Sequence, residues 1–286
     1  MTAKAVRIAI ISNKNFPGYL DRNLSDHLTW IEKASAASAR LVLFPELSLC
    51  GYTFESIIKD SVLTLTSREC LIISEKAASL NIYVAFGLSL AITNRIYISH
   101  VITGPNGIVG HYEKVHIAYI HSEEGDIFSP GSEFRVFNID GVKIGLMICF
   151  DGRFPASLFC LSHLGAEVVL HPHANYTGEL GKDPFDWSEK KLWYLGSASY
   201  DNCVYMLMCN SIGTVTSRSG NTYEFCGGGL AIGPDGKSIV RSNKGINHPH
   251  MLICELDIEK LRNLRSNPST YFNMRRPNIY IQALSE

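Results

Sequence analysis

Three short stretches place polar groups where apolar, strand-like runs end. In LVLFPELSLCGY, Leu41 to Tyr52, an apolar run stops at Pro45 and Glu46 follows at once. Proline has no N–H to extend a central ladder, so Glu46 sits at a strand exit. The apolar neighbours Leu47 and Leu49 desolvate the carboxylate in part, which suits a general base; an ordinary capping carboxylate before a helix is the alternative. In HYEKVHI, His111 to Ile117, Lys114 follows a second such run. Taken alone, a lysine there is commonly a solvated surface residue. In KIGLMICFDGRFP, Lys143 to Pro155, the run Ile144 to Ile148 hands over at Cys149 to a sequence able to start a helix. A structural thiol belongs inside such a run, whereas one at its exit faces a cleft. Backbone N–H groups of the following turn would stabilise a thiolate and an oxyanion. A base, a cation and a thiol at strand exits are the set that splits a C–N bond through a thioester.

The elements that must carry these groups alternate along the chain. Strands are expected at Val6–Ile11, Leu41–Phe44 and Ile82–Leu88, and helices at Leu20–Ala39 and Arg68–Ser79. Ile96–Ile102 and Ile108–Tyr112 flank Gly104-Pro105-Asn106-Gly107, and Phe134–Ile139 and Val142–Ile148 flank Asp140-Gly141; both are hairpin signals. A helix from Pro155 to His163 begins with proline in its first turn, and a further helix is expected over Trp187–Tyr200. Glu167–Leu170, Val204–Met208, Phe225–Ile232, Ser238–Arg241 and Met251–Leu256 read as strands. Neither repeats nor linkers are visible. Hairpins mixed with crossovers imply helices outside two packed sheets. The polar stretch from Asn263 to Glu286, with Pro268 and Pro277, reads as a tail that packs on the 1–262 domain or on a second subunit.

Composition narrows the function classes. The 286 residues are 46% apolar, enough for a large core, and the net charge of −1 carries no charged block. Nucleic-acid and membrane-surface binding gain no support from that balance. No apolar run reaches 18 residues, and MTAKAVRIAI reads as a first strand, not a signal peptide. The eight cysteines form no C-x-x-C pair and lie scattered in apolar runs. That pattern points to a reducing, cytoplasmic protein whose thiols are mostly small core residues.

The order and separation of FPELSLCGY, YEKVHI and ICFDGRFP resemble the nitrilase superfamily, the carbon–nitrogen hydrolases. The likeness continues in PGSEF (Pro130–Phe134), GAEVVLHP, WYLGSASYDNCVYMLMCNSIG and GGGLAIGPDG, nearly the whole chain. The resemblance implies a single-domain, four-layer α-β-β-α sandwich and a homodimer or larger homo-oligomer. By position it makes Glu46 the general base, Lys114 the cation and Cys149 the nucleophile. For the family's second glutamate, Glu124, seven residues before Gly131, is the better match, with Glu123 the alternative. Substrate contacts are expected from Tyr119, His121, Phe150, Arg153, His173, Asn175 and Trp187. Arg153 suits a substrate carboxylate or a salt bridge with Asp151. His173 and Asn175 suit either the pocket or loop hydrogen bonding. The implied mechanism requires no metal or organic cofactor.

Two departures bear on the substrate: Ala156 stands where amidases often have glutamate after RFP, and Gly227-Gly228-Gly229 replaces a G-x-S. Phe150-Asp151 resembles amide and carbamoyl hydrolases, while nitrile hydrolases more often carry Trp-Glu. Amide or N-carbamoyl cleavage is therefore the leading expectation, with a nitrile hydrolase or an inactive binding member as alternatives. A metallohydrolase built on the two HPH triplets, His171–His173 and His248–His250, lacks fitting carboxylates. An acyltransferase would use the same thioester.

Overall fold

The computed structural model describes residues 5–53, 55–118, 123–176, 187–243 and 246–285, and of residues 56, 123 and 124 the backbone alone. Two six-stranded sheets pack face to face. The first half supplies β1 (Ala5–Ser12), α1 (Leu20–Ala36), β2 (Leu41–Leu43), α2 (Arg68–Ser79), β3 (Tyr83–Ile92), β4 (Arg95–Gly104), β5 (Gly107–Glu113) and the short α3 (Glu123–Ile127). The second supplies β6 (Val136–Ile139), β7 (Val142–Leu146), α4 (Pro155–His163), β8 (Val168–His173), α5 (Trp187–Asn202), β9 (Tyr205–Asn210), a β10–β11 ribbon (Ile212–Thr216, Thr222–Cys226), β12 (Gly229–Ile232) and β13 (Ser238–Arg241). The chain then returns through β14 (His250–Asp257), α6 (Ile258–Ser266), α7 (Tyr271–Met274) and α8 (Pro277–Ser285).

The sheet orders are β14-β1-β2-β3-β4-β5 and β6-β7-β8-β9-β12-β13. Each has a parallel central trio, β1-β2-β3 in one and β7-β8-β9 in the other, flanked by antiparallel strands. The two halves thus share one topology, although no repeat is visible in the residues. β1 faces β9 and β12 across the interface, α1 and α2 cover the first sheet, and α4 and α5 cover the second. One apolar cluster fills the inter-sheet space and the α1/α2 side; a second, with Met147, Leu158, Val169, Leu195 and Met208, fills the α4/α5 side. This is the four-layer α-β-β-α sandwich expected from the sequence.

Strand alternation sorts the core. In β8, Val168 and Leu170 enter the inter-sheet cluster while Val169 faces α4 and α5. His171 and His173 continue the phase of Val169 and lie on the helix side. Two expectations needed revision. The run Phe225–Ile232 is two strands, because Gly227 and Gly228 adopt φ of 70° and 104° and break the ladder. Ile212–Thr216 is an additional strand. Asp257 caps the N-terminus of α6 by accepting from the Lys260 N–H.

Candidate active site

Glu46, Lys114 and Cys149 come from three strand ends. Glu46 follows β2, and its N–H donates to the His173 carbonyl at the end of β8 (3.3 Å). That bond ties the two sheets together at the site. Lys114 follows β5; its N–H donates to the Ile98 carbonyl and its own carbonyl accepts from the Gly131 N–H, each at 2.8 Å. The Lys114 ammonium donates to Glu46 Oε1 at 2.8 Å, and both side chains are 1% exposed. A charge pair so desolvated is strongly interdependent, since removing one partner strands the other.

Cys149 opens a five-residue 3-10 turn, Cys149–Arg153, with φ of 42°. A left-handed conformation is costly for a non-glycine residue and persists only where its surroundings impose it. Asp151 does much of this. Its fully buried carboxylate accepts from the Ile148 N–H (2.9 Å), the Tyr112 hydroxyl, the His116 N–H and His116 Nδ1 (each 2.8 Å). Tyr112 and His116 flank Lys114 by two residues on either side, so one carboxylate staples the lysine segment to the nucleophile turn. Burial, with the Asp151 charge beside it, pushes the Tyr112 hydroxyl's pKa well up and keeps it a donor.

A second brace comes from below. His171 Nε2 donates to the Cys149 carbonyl (3.0 Å), which requires the Nε2–H tautomer because a carbonyl can only accept. Gly152 admits the ring: a Cβ there would lie 2.3 Å from His171 Cε1. Burial, aided by the Lys191 charge, holds the His171 pKa down at about 3, so the ring is neutral.

Asn175 faces the sulfur. The indole Nε1 of Trp187 donates to Asn175 Oδ1 (2.9 Å), and an indole can only donate, so the amide NH2 is turned to Cys149 Sγ (3.4 Å). Asn210 grips the Asn175 backbone, accepting from its N–H (2.7 Å) and donating to its carbonyl (3.2 Å). The other expected residues distribute unevenly. Phe150, half-buried, stacks edge-on to Phe154. The His173 ring is fully buried between His171 (4.1 Å between centroids) and Trp187 (5.3 Å). Arg153 is exposed with its guanidinium over the Tyr194 ring (5.1 Å), and Asp151 takes other partners. Tyr119 and His121 lie outside the described residues, as do the side chains of Glu123 and Glu124.

Asn210 and Lys191 escaped the sequence reading, and the roles of Asp151 and His171 did too: Asp151 was read as a partner for Arg153 and in the Phe150-Asp151 pair, His171 in a rival metal triplet. Lys191 had a signal: it falls on the inward stripe of α5 with Ser188, Leu195 and Ser199. Among the described residues no three His, Cys, Asp or Glu side chains converge as metal ligands, and no helix is long and apolar enough to cross a membrane.

A chain with this fold and this site is similar to known proteins along its whole length. It is 29% identical to a nitrilase of Pyrococcus abyssi over 92% of this chain and 94% of that one. It is 26% identical to an (R)-stereoselective amidase of Pseudomonas sp. over 91% and 88% of the two chains. Among solved structures, a glutamate-to-glutamine variant of the amidase from Nesterenkonia sp. AN1 superposes with a TM-score of 0.78 at 20% identity, covering 99% of this chain and 98% of that one. That structure carries the acetamide moiety of fluoroacetamide on its active-site cysteine; at this identity it speaks for the fold. The carbon-nitrogen hydrolase family model matches residues 7–266, so the chain belongs to the carbon–nitrogen hydrolases.

Proposed function

We propose that the chain is a thiol hydrolase that cleaves the non-peptide C–N bond of a small amide or N-carbamoyl compound. The observation that carries this reading is the buried Glu46–Lys114 pair, with the Asp151 staple that joins the lysine segment to the Cys149 turn. Glu46 takes the thiol proton as Cys149 Sγ attacks the carbonyl carbon. The oxyanion is held by the Lys114 ammonium and the Phe150 N–H. Glu46 returns the proton to the leaving nitrogen, the C–N bond breaks, and ammonia or an amine departs. Water, deprotonated by Glu46, then attacks the thioester, releasing the acid and restoring the thiol. Glu124 orients Lys114 in this scheme. Substrate contact in this scheme is assigned to Trp187, Asn175, Phe150, Arg153 and Tyr119, with His173 packed against Trp187.

We further propose a cytoplasmic homodimer or larger homo-oligomer. None of the eight cysteines is in a disulfide, as a reducing compartment requires. Exposed Tyr200, Tyr271, Met274, Ile281 and Leu284 line α5, α7 and α8, an apolar surface suited to a second copy. Analytical ultracentrifugation checks the assembly. Ammonia release from ω-amides of dicarboxylic acids, N-carbamoyl amines and amino acids, aliphatic amides and nitriles checks the chemistry. Activity on one amide or carbamoyl class that disappears in Cys149→Ala is the expected result. Activity surviving that substitution rules out the thioester, and turnover confined to nitriles makes the chain a nitrile hydrolase.

A further inference from the structure

The residue that follows Glu46 is strained. Leu47 is fully buried and left-handed, with φ of 49°. That conformation is costly for a non-glycine residue and persists only where the surroundings impose it. Upstream, the Glu46 N–H is held by the His173 carbonyl. Downstream, the Ser48 N–H closes the turn on the Pro45 carbonyl (3.3 Å), and the Leu49 N–H donates to the Gly87 carbonyl in β3 (2.9 Å). Gly87 permits this close approach, since a Cβ there would lie 2.4 Å from the Leu47 nitrogen.

The side chain of Ser48 is fixed by a histidine of α1, and both residues are fully buried. His27 Nδ1 lies 2.7 Å from the Asn23 carbonyl, and Nε2 lies 2.9 Å from Ser48 Oγ. A carbonyl can only accept, so Nδ1 carries the proton and Nε2 accepts from the Ser48 hydroxyl. Ser48 Oγ in turn accepts from the Gly87 N–H (3.1 Å). Burial holds the His27 pKa down at about 4, so the ring is neutral at neutral pH and these directions stand. Asn23, one helical turn earlier, donates from its amide to the Leu49 carbonyl (3.0 Å). The His27 ring also stacks on Phe44, 4.2 Å between centroids. Helix α1 therefore grips the chain on both sides of Glu46, at Phe44 and at Ser48–Leu49. A buried polar chain is expensive where apolar side chains would fill the same space, and what it supplies is a single fixed arrangement.

We propose that His27 and Ser48 are positioning residues for the general base: their hydrogen-bond chain from α1 to β3 locks the Pro45–Leu49 turn in the conformation that presents the Glu46 carboxylate to the Lys114 ammonium and the Cys149 thiol. This rests on the hydrolase reading above and deepens it. Neither residue touches the substrate. Both act through the direction in which Glu46 leaves the turn.

The test compares an amide with an ester, because only the nitrogen leaving group needs the proton that Glu46 returns. The probes are the best-used amide or N-carbamoyl compound of the panel above and p-nitrophenyl acetate, whose phenolate leaves unprotonated. Ser48→Ala removes one oxygen from the chain, and His27→Phe keeps a ring on Phe44 while removing the acceptor. Each should lower the amide-to-ester ratio of kcat/KM by about tenfold or more, the effect of a misplaced acid–base group. Amide kcat should fall with KM little changed, and Glu46→Gln should set the floor of the ratio. The double variant should be no slower than Ser48→Ala alone, since either change opens the same chain. Amide and ester slowed alike, or losses that multiply in the double variant, would mean a general loosening of the fold and overturn the positioning role. Loss of the native fold in both single variants would overturn it too, by making the pair a requirement of folding. If wild type hydrolyses neither an amide nor an N-carbamoyl compound, the hydrolase reading fails and the role falls with it. An unmoved ratio in an enzyme that does hydrolyse one overturns the role alone.

Discussion

Cys149 is held by its backbone more than by its side chain. Its carbonyl is taken by His171, its preceding N–H by Asp151, and its φ of 42° is sustained by both. Its sulfur is left for the amide NH2 of Asn175 and the cleft. The other thiols are differently placed. Burial pushes Cys50 up to about 11, Cys70 and Cys254 to about 12, and Cys209 well above its usual value. At neutral pH these remain thiols and are not nucleophiles. Iodoacetamide at pH 7 should therefore label Cys149 first and leave those four unmodified in native protein, as read by mass spectrometry of a digest. Labelling of Cys149 no faster than half-buried Cys160 would count against an activated nucleophile.

At the scale of elements, the site is a junction between segments that are distant in sequence. Asp151 joins the strand exit after β7 to the one after β5, and the Glu46–His173 backbone bond joins β2 to β8. Asparagine at 151 would keep the shape of the staple but turn an NH2 donor toward donors. With four hydrogen bonds to a charged acceptor disturbed, Asp151→Asn should cost about 3 kcal/mol or more, seen as a lower urea midpoint at unchanged slope. Because Tyr112 and His116 flank Lys114, kcat should fall further than KM rises. A variant of wild-type stability and activity would show that the carboxylate is dispensable. The staple was hard to foresee because a motif places Asp151 near Arg153 along the chain, and only the turn's geometry sends its carboxylate toward β5.

At the scale of the whole molecule, four fully buried histidines tie stability to pH. Burial lowers His27 from 6.5 to about 4 and His100 and His171 from 6.5 to about 3, and takes His173 well below 6.5. Each binds its proton more readily when unfolded. Their contribution is complete above pH 6.5 and is lost as pH falls from there toward the folded values. Each group takes away about 1.4 kcal/mol per pH unit within that window. The melting temperature should hold between pH 7 and 8 and drop steeply from pH 6 to 4. Replacing His100 by glutamine should flatten part of that slope; an unchanged slope would mean the ring titrates freely in the folded chain.

Periodicity and punctuation were local, and so were legible in the residues. The helices Arg68–Ser79 and Pro155–His163, the hairpins at Asn106-Gly107 and Asp140-Gly141, and the strand exits bearing Glu46, Lys114 and Cys149 are all written in runs of a dozen residues or fewer. Ordered motifs then identified the family and its sandwich. Tertiary structure alone decided which faces these elements turn to one another. It put His171 under the nucleophile, Asp151 against Tyr112 and His116, Asn210 behind Asn175, and a lysine on the buried side of α5. Those contacts span 22 to 39 residues of chain and depend on sheet register and close packing, which no local pattern encodes.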